Sequence, residues 1–432
     1  MRYGARPRPL RGASSPKRTA LRRRRPSRLR PLAILAGIVV AAILLGRYGD
    51  GVYRRIAGSG WGSPNADPVS YDSPPPPPVA DGPRMDPALT LHTAQAALRI
   101  VNVHEHIQGM KSARVLLDAM DKYGVGKTLL MGSSWFTITL QESAGFTRYD
   151  EINEDILAVA KAYPSRFEAW PTINPRDDKK LEKFISLHQR GSTGLKLYVG
   201  HGFVKQSDKR YMFHTMALDD PSLLPVYQYC QDNFIPIMFH VQLDAKLGPG
   251  IADEFVAVLT KFADLKVICP HYMLSSSSPQ RLREFLESFP NLYSDISYGH
   301  DDFIKSGLNR IHKDPERFRA LFRDYPNRFM WGTDLVITDH PSKTAEWTEA
   351  RFKTYLDMLT QKTYTSLIFP GEIKNGLALD GALLERILYK NYEAFSALRP
   401  KGTLPRHSFD WSQLGGKPEG RTPGESLPPP RK

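Results

Sequence analysis

Eight short apolar runs recur along the middle of this 432-residue chain, and helix-like segments separate most of them. The ends of successive runs, from His104 to Asp334, lie on average about 33 residues apart, and a βαβ unit takes about 30 residues or more. Strands that alternate with helices predict a parallel sheet. Eight such units close into a (β/α)8 TIM barrel of the α/β class, with its ligands at the carboxyl ends of the strands. The predicted strands are residues 98–103, 127–131, 167–173, 194–199, 235–239, 266–269, 292–296 and 329–331.

The positive charge of the chain is concentrated at its amino-terminal end. The formal net charge is +14, but residues 1–30 contain twelve Lys or Arg and no Asp or Glu, so the remainder is close to neutral. A nucleic-acid-binding protein carries its basic patch on the folded domain, so we expect no nucleic-acid partner. The two cysteines, Cys230 and Cys269, have no neighbour at CxxC spacing, which excludes a disulfide framework.

An apolar run follows the basic stretch and ends at Arg47. We predict a membrane anchor helix over residues 31–47, although the run is short for a span, which usually needs about 20 apolar residues. Positive flanks face the cytoplasm, so residues 1–30 become a cytoplasmic tail and the barrel lies on the periplasmic or extracellular side. A cleaved signal peptide and a buried soluble helix are the alternatives.

Proline-rich segments flank the predicted barrel domain. Residues 48–87 include five consecutive prolines, Pro74 to Pro78, and predict an extended linker that cannot bury a core. Residues 400–432 are rich in Pro, Gly and charge and predict a disordered tail. The barrel itself is expected over residues 88–399.

Polar side chains with metal-binding chemistry follow several of the apolar runs. In a strand, residues i and i+2 point to the same side, so His104 and His106 can converge on one ion while Glu105 points away. Two later runs end in His240 and His271, and the last leads through a glycine to Asp334. Such residues at the strand ends of a barrel are usually catalytic, although each alone could be a buried core or capping residue.

One further ionisable residue lies inside a predicted strand. Lys196 interrupts the otherwise apolar sequence Gly-Leu-Lys-Leu-Tyr, and a buried lysine is costly unless it is paired or modified. The order HxH, Lys, His, His, Asp on successive strands resembles the amidohydrolase superfamily. The Gly-Leu-Lys-Leu and Trp-Gly-Thr-Asp segments, and the segment 387–395 that is similar to a helix closing such barrels, resemble its amidohydrolase-related (amidohydrolase 2) branch.

This resemblance implies a metal-dependent hydrolase of a small molecule with an ester, lactone or amide carbonyl. One divalent ion, preferably Zn²⁺ with Mn²⁺ or Fe²⁺ as alternatives, would be held by His104, His106, His240 and Asp334. Asp334 would then act as general base on a water bound to the ion. His271 would polarise the substrate carbonyl or stabilise the developing oxyanion.

The role of Lys196 is open at this stage. In some branches of the superfamily the matching lysine is carboxylated and bridges two metals. A carboxylated Lys196 would therefore imply a binuclear site with His271 as a ligand. An unmodified Lys196 would instead contact a substrate carboxylate as a point charge. We favour the mononuclear case, because this branch often has it. Candidates for substrate contacts, by position only, are Trp135, Tyr198, His201, Tyr272 and His300.

Three alternative functions remain. The same ligand set suits a metal-dependent decarboxylase of an aromatic or unsaturated carboxylic acid, and some relatives are lactonases without an ion. A catalytically inactive scaffold, tethered to a membrane, belongs to a different class. The sequence does not name a substrate or an oligomeric state.

Overall fold

The computed structural model describes residues 86–139, 146–199, 204–205, 210–211, 216–241, 251–273, 279–299 and 301–400. The predicted basic tail, the predicted anchor at 31–47, nearly all of the predicted linker and the predicted carboxyl-terminal tail lie outside these residues and stay predictions. Within the described ranges, no helix has both the length and the apolar character needed to cross a membrane.

Eight parallel strands form the centre of the described region, and each overlaps one of the eight predicted strands. These strands pair in chain order. A short antiparallel pair of strands lies in the connection between the fourth and the fifth of them. The strands are Ile100–Glu105 (β1), Val125–Met131 (β2), Phe167–Trp170 (β3), Leu195–Leu197 (β4), Val204–Lys205 (β5), Arg210–Tyr211 (β6), Ile237–Phe239 (β7), Val267–Cys269 (β8), Leu292–Asp295 (β9) and Phe329–Met330 (β10).

Two junctions close these strands into a ring. Between β3 and β4, the amide of Lys196 donates a hydrogen bond of 2.9 Å to the carbonyl of Pro171. Between β10 and β1, the amide of Val103 donates a hydrogen bond of 2.9 Å to the carbonyl of Trp331. The sheet is therefore a closed barrel without free edges, as predicted, and the carboxyl ends of all eight parallel strands meet at one rim.

Helices follow the barrel strands and cover them. Several are preceded by a residue whose side chain accepts a hydrogen bond from a free backbone amide of the first turn. Asp314, Thr344 and Asp380 cap in this way the helices that begin at residues 315, 345 and 381. The helices are Pro87–Ala96 (α1), Gly109–Tyr123 (α2), Trp135–Thr139 (α3), Tyr149–Ala162 (α4), Lys180–Gln189 (α5), Leu224–Asp232 (α6), Ile251–Lys261 (α7), Pro279–Ser288 (α8), Asp301–Lys313 (α9), Pro315–Asp324 (α10), Ala345–Thr360 (α11), Gly381–Glu385 (α12) and Asn391–Ala397 (α13). A π-helical turn, Arg386–Lys390, joins the last two.

The carboxyl-terminal helical segment packs against the last barrel strand. The amide of Trp331 donates a hydrogen bond of 2.8 Å to the carbonyl of Ile387. The side-chain amide of Asn391, which is buried, donates to the carbonyls of Pro326 and Phe329 at 2.9 and 2.8 Å. This segment therefore holds the start of β10 in place, in agreement with the barrel-closing helix predicted at residues 387–395.

An antiparallel hairpin was not predicted from the sequence. It consists of Thr363–Ser366 (β11) and Phe369–Asn375 (β12) and follows α11. Most of its residues are exposed, and Lys374 donates a hydrogen bond of 2.8 Å to the side chain of Asn309 on α9. A hairpin with few buried residues has no continuous apolar run, which is the pattern on which the strand predictions depend.

Replacing Asn391 with Leu should destabilise the barrel without altering the predicted metal ligands. The change removes the donor from the buried carbonyl of Phe329 and from the half-buried carbonyl of Pro326, and an unsatisfied buried acceptor costs about 1–3 kcal/mol. We expect a loss of about 2–5 kcal/mol in the free energy of unfolding, measured by urea denaturation. Glu393→Gln on the same helix is the control, because its ion pair with Arg99 is exposed and long, at 3.5 Å. Equal stability of both variants would contradict the proposed role of Asn391.

Candidate metal centre

Three of the predicted metal ligands converge at the carboxyl-terminal rim of the barrel. Oδ1 of Asp334 lies 3.5 Å from Nε2 of His104 and 3.5 Å from Nε2 of His106. All three side chains are buried or nearly so. The potential ligand atoms of the three residues lie within 4.8 Å of one another, so they form a group that could hold a metal ion.

The hydrogen bonding of Asp334 supports this interpretation. Its Oδ1 is buried and accepts no hydrogen bond from the described residues, although it faces two imidazole nitrogens. A buried carboxylate oxygen without a donor is costly, and a cation is one of the partners that can satisfy it. Two imidazoles and a carboxylate are ligands that divalent transition metals bind in proteins. The residues present therefore fit a divalent metal ion.

His104 is oriented by a carboxylate on its other side. Nδ1 of His104 lies 2.8 Å from Oδ2 of Asp295, at the end of β9. A carboxylate at this position accepts a hydrogen bond from Nδ1–H, which leaves the lone pair of Nε2 pointing towards Asp334 and His106. His104, His271 and Asp295 also satisfy the geometric criterion for a metal-binding group. Because Asp295 is already bonded to His104, we interpret it as an orienting group.

Asp295 also connects His104 to His271. Its Oδ1 accepts hydrogen bonds from the amide of His271 at 2.9 Å, and from the amide and hydroxyl of Ser297 at 3.0 and 2.6 Å. The Ser297 hydroxyl lies 2.8 Å from Nδ1 of His271. Since this hydroxyl donates to Asp295, it accepts from Nδ1 of His271. This network therefore leaves Nε2 of His271, 3.4 Å from Oδ2 of Asp334, without its proton when the imidazole is neutral.

Behind the candidate ligands, a second buried network joins β1 to the loop after β10. Glu105 accepts hydrogen bonds of 2.9 Å from the amides of His106 and Val336 and one of 2.7 Å from the hydroxyl of Thr333. Asn102 donates to the same hydroxyl at 2.7 Å and accepts from the amide of Thr333 at 3.1 Å. Glu105 therefore points away from Asp334 Oδ1, as strand alternation predicts, and holds the backbone on both sides of the site.

The backbone is strained in two loops at the rim, the one after β8 and the one after β10. Asp334 and Val336 have φ of 51° and 55°, and His271, Tyr272 and Met273 have φ between 53° and 59°. Non-glycine residues rarely adopt this left-handed conformation, and it persists where surrounding contacts impose it, often at functional sites. Close packing acts nearby as well, because a Cβ on Gly332 would lie 3.1 Å from the Cβ of His104.

Burial keeps the imidazoles of the site neutral. Desolvation, with the charge of Lys196, lowers the pKa of His104 to about 3, and desolvation lowers that of His271 to about 4. Burial also raises the pKa of Asp334 well above its ordinary value. Desolvation would raise the pKa of Asp295 too, but the interactions with His104 and the hydrogen bonds at its oxygens bring it below the ordinary value. Neutral imidazoles have the free lone pairs that a metal requires.

Lys196 lies inside the site, as its position in the predicted strand suggests. Its Nζ is 2.9 Å from Nε2 of His104 and 3.2 Å from the sulfur of Met238, and the side chain is fully buried. Desolvation lowers the pKa of Lys196 to about 8. Lys196 therefore loses its proton at a lower pH than an exposed lysine does, and its neutral amine would lie next to the candidate ligands.

The fourth predicted ligand lies at the margin of the group. The imidazole of His240 has its ring centre 5.5 Å from that of His271 and 5.2 Å from the ring of Tyr198. It belongs to neither of the two groups of described residues whose ligand atoms lie within 4.8 Å of one another. Ligation by His240 stays a proposal.

The candidates for substrate contacts are divided between the rim and the core. The hydroxyl of Tyr198 lies 3.3 Å from Nε2 of His106, within the site. Trp135 stacks against Arg148 at 3.7 Å. Tyr272 is fully buried and stacks on Tyr298, so its ring belongs to the core. The other two candidates, at positions 201 and 300, lie outside the described residues.

Sequence reasoning did not identify Asp295 and Ser297 as site residues. A usable signal existed, since Asp295 is an acidic residue near the carboxyl end of the predicted strand 292–296. It was obscured because Asp295 does not end its apolar run: Ile296 follows it. The pairing of Asp295 with His104 becomes visible only when the barrel brings β9 and β1 together.

Comparison with known proteins identifies the family. The model of a family described as amidohydrolase matches residues 141–395, more than half of the chain. The chain belongs to this amidohydrolase family. The matched segment contains Lys196, His240, His271 and Asp334, and it begins after His104 and His106. No curated protein matches the chain.

The solved structures that are similar to this amidohydrolase include a decarboxylase and another amidohydrolase. One is a TIM-barrel protein from Bordetella bronchiseptica, with 22% identity and a TM-score of 0.40, covering 72% of this chain and 92% of that one. Another is a 2,6-dihydroxybenzoate decarboxylase from Rhizobium, with 13% identity and a TM-score of 0.40, covering 70% and 99%. A third is an amidohydrolase from Burkholderia multivorans, with 11% identity and a TM-score of 0.45, covering 69% and 99%.

Replacing Asp295 with Asn should weaken metal binding while the barrel stays folded. Asparagine is uncharged and has a single acceptor oxygen, so it cannot accept both the hydrogen bond from Nδ1 of His104 and the three bonds at the other oxygen of Asp295. Loss of such an orienting partner typically lowers metal affinity 10- to 100-fold. Titration of the apo-protein with Zn²⁺ against a competing chelator measures this change. Asp314→Asn, which alters an exposed helix cap, serves as the control and should bind Zn²⁺ as the parent does. Unchanged affinity of Asp295→Asn would show that Asp295 does not orient His104.

Proposed function

We propose that this amidohydrolase hydrolyses an ester, lactone or amide-type carbonyl of a small molecule with one divalent metal ion. The observation that carries the proposal is that His104, His106 and Asp334 converge and that Oδ1 of Asp334 has no hydrogen-bond donor among the described residues. We favour Zn²⁺ because the candidate ligands are rich in nitrogen, with Mn²⁺ or Fe²⁺ as alternatives. The ion would be held by His104, His106 and Asp334, with His240 as the proposed fourth ligand.

The bonding of His104 supports one ion rather than two. Its Nε2 faces Asp334, whereas its Nδ1 is 2.8 Å from Asp295. Asp295 is saturated further by the amides of His271 and Ser297 and by the Ser297 hydroxyl. A second cation next to Asp295 would have to displace these donors. The group around Asp295 is therefore better suited to orient ligands than to bind a second ion.

The protein groups supply proton transfer around the ion. A bound divalent ion lowers the pKa of a water ligand towards about 7 and polarises a carbonyl oxygen. The two oxygens of Asp334 face different partners, Oδ1 the imidazoles of His104 and His106 and Oδ2 the Nε2 of His271 at 3.4 Å. Asp334 can thus bind through Oδ1 and accept a proton at Oδ2, as a general base requires.

His271 lies beside the proton-accepting oxygen of Asp334. Its Nδ1 is engaged with Ser297, so its Nε2, 3.4 Å from Oδ2 of Asp334, is a free acceptor in the neutral form. Burial lowers the pKa of His271 to about 4 and raises that of Asp334, so a proton taken from water stays on Asp334 until Asp334 passes it to the leaving group. His271 would orient this proton through Nε2. Stabilisation of the oxyanion by His271, the role predicted from the resemblance, would require the protonated imidazole.

Replacing Asp334 with Asn should reduce kcat much more than it raises KM. The amide cannot take a proton from water, and loss of general acid–base catalysis typically costs 10²- to 10⁴-fold in rate. Metal content is measured on the same sample, to separate lost chemistry from a lost ion. Metal-loaded Asp334→Asn with an unaltered kcat would remove the proposed role of this carboxylate.

The double variant His104→Ala/His106→Ala tests the centre as a whole. We expect it to lose bound metal and all turnover while its circular dichroism spectrum stays that of a folded barrel. The substrate screen contains esters, lactones, amides and aromatic acids, and product analysis distinguishes water uptake from release of CO2. Release of CO2 would contradict the proposed hydrolysis and favour the decarboxylase alternative. A parent protein that binds no metal and turns over nothing would favour the scaffold.

A further inference from the structure

The loop that carries Asp334 is held against the first strand by its backbone amides. In this Asp334 loop, residues 333–337, Asp334 and Val336 both have the left-handed conformation, with φ of 51° and 55°. The amide of Asp334 donates a hydrogen bond of 2.8 Å to the carbonyl of His104, and the amide of Val336 donates one of 2.9 Å to the side chain of Glu105. A conformation that non-glycine residues rarely adopt persists only where surrounding contacts impose it. The contacts of this loop therefore decide where the carboxylate of Asp334 lies.

A lysine side chain bonds the carbonyl between the two left-handed residues. Nζ of Lys343 donates a hydrogen bond of 3.0 Å to the carbonyl of Leu335, and Leu335 is fully buried. A hydrogen bond from a charged donor is roughly twice as strong as one between neutral groups. Lys343 therefore holds the middle of the Asp334 loop, although it lies outside the metal-binding group.

The ammonium of Lys343 is in turn held by an aromatic ring. Trp347, in the first turn of α11, has its ring centre 3.7 Å from Nζ of Lys343 and 3.8 Å from Cζ of Arg351. Two cations at these distances on one face of the ring would touch each other, so they lie on opposite faces. The face of an indole attracts cations. Trp347 therefore fixes the position from which Lys343 reaches the loop.

Arg351 anchors this stack to a different part of the rim. Its Nε and Nη2 donate hydrogen bonds of 2.9 and 2.5 Å to the two carboxylate oxygens of Asp301, the first residue of α9. Its Nη1 donates one of 3.0 Å to the carbonyl of Trp347, and the side chain is buried. A bidentate pair of this kind fixes orientation as well as distance. A continuous series of contacts therefore runs from α9 through Arg351 and Trp347 to Lys343.

The charge of Lys343 by itself does not favour a metal ion. Burial raises the pKa of Asp334, and the charges of Lys196 and Lys343 act in the opposite direction. The ammonium of Lys343 is therefore close enough to repel a divalent ion bound at Asp334. Removal of the charge alone would raise the affinity for such an ion, whereas displacement of the Asp334 loop would lower it. The two effects have opposite signs, so a measurement of affinity separates them.

We propose that Lys343 is a positioning residue for the metal centre. Through the carbonyl of Leu335 it sets the backbone of the Asp334 loop, and with it the distance between Oδ1 of Asp334 and the imidazoles of the site. Trp347 and Arg351 keep the ammonium in place, and in this role Lys343 touches neither the ion nor the substrate. This inference rests on the proposed metal centre.

The affinity of the full-length apo-protein for Zn²⁺, titrated against a competing chelator, tests this role. Lys343→Met should bind Zn²⁺ about 10-fold more weakly, the loss typical of a residue that supports a ligand. Lys343→Arg keeps a charged donor and should stay within about threefold of the parent. Trp347→Leu leaves the lysine but removes the ring that holds it, and should lower the affinity about threefold or more. Unchanged or higher affinity in folded Lys343→Met overturns the inference.

Lys266→Met is the matched control. Lys266 is also buried, and its ammonium donates hydrogen bonds of 3.4 and 3.2 Å to the carbonyls of Phe395 and Ser396. It directly precedes β8, so it lies at the opposite end of the barrel from the site. Both lysine variants should unfold at lower urea concentration than the parent, but only Lys343→Met should bind Zn²⁺ more weakly. Equal losses of affinity would reduce Lys343 to a residue of general stability and overturn the inference.

A double-mutant cycle shows whether Lys343 acts through Asp334. In the Asp334→Ala background, Lys343→Met should cause no further loss of Zn²⁺ affinity, because the carboxylate that the lysine positions is gone. A loss of the same size in both backgrounds overturns the inference. Co²⁺ gives a second readout, since its visible absorption depends on the geometry of its ligands. Lys343→Met should alter the spectrum of the Co²⁺-loaded protein, and Lys266→Met should not.

The outcomes separate this inference from the proposed function. If the parent protein takes up neither Zn²⁺ nor Co²⁺, the metal centre fails, and the positioning role that rests on it fails as well. If the parent binds Zn²⁺ and Lys343→Met binds it equally well, the metal centre stands and only the positioning role is wrong. If Lys343→Met does not fold, Trp347→Leu decides, and an affinity equal to that of the parent overturns the inference.

Discussion

The pairing of the first barrel strand with the last is the contact on which the candidate site depends. His104 and His106 lie on one strand and Asp334 follows the other, more than two hundred residues later in the chain. The amide of Asp334 donates a hydrogen bond of 2.8 Å to the carbonyl of His104, so ring closure itself sets the carboxylate beside the imidazoles. Glu105, Asn102 and Thr333 reinforce this junction from behind with buried hydrogen bonds. A metal ion would thus find ligands whose backbone is already held in place.

Burial has opposite effects on two kinds of polar group at this rim. Groups with partners become rigid: Asp295 accepts bonds at both oxygens and fixes the orientation of His104 and the position of His271. Oδ1 of Asp334 is different: it is buried, accepts no hydrogen bond from the described residues and faces the imidazoles of His104 and His106. Because an unsatisfied buried polar atom is costly, this oxygen is the one at the candidate site that a metal ion would satisfy.

Much of the fold could be predicted from local pattern. All eight barrel strands coincide with apolar runs, because a strand covered by helices is buried on both faces and therefore lacks alternation. The hairpin β11–β12 was missed because its residues are largely exposed and form no such run. Among the site residues, Lys196 was recognisable as a charge within an apolar strand. Asp295 was not, because its partner, His104, is remote in sequence.

The sequence by itself determined the parallel barrel, which follows from periodicity, and the residue types that could bind a metal, which end the strands. The motifs of the sequence also carried the resemblance by which the family was recognised. Only the tertiary structure decided which of them meet. It brought Asp334 to His104 and His106 and placed Asp295 at hydrogen-bond distance from Nδ1 of His104. The physical reason is that hydrogen bonding between nitrogen and oxygen atoms depends on differences of tenths of an ångström. Register, side-chain direction and ring closure set those distances, and a linear pattern of residues carries no information about them.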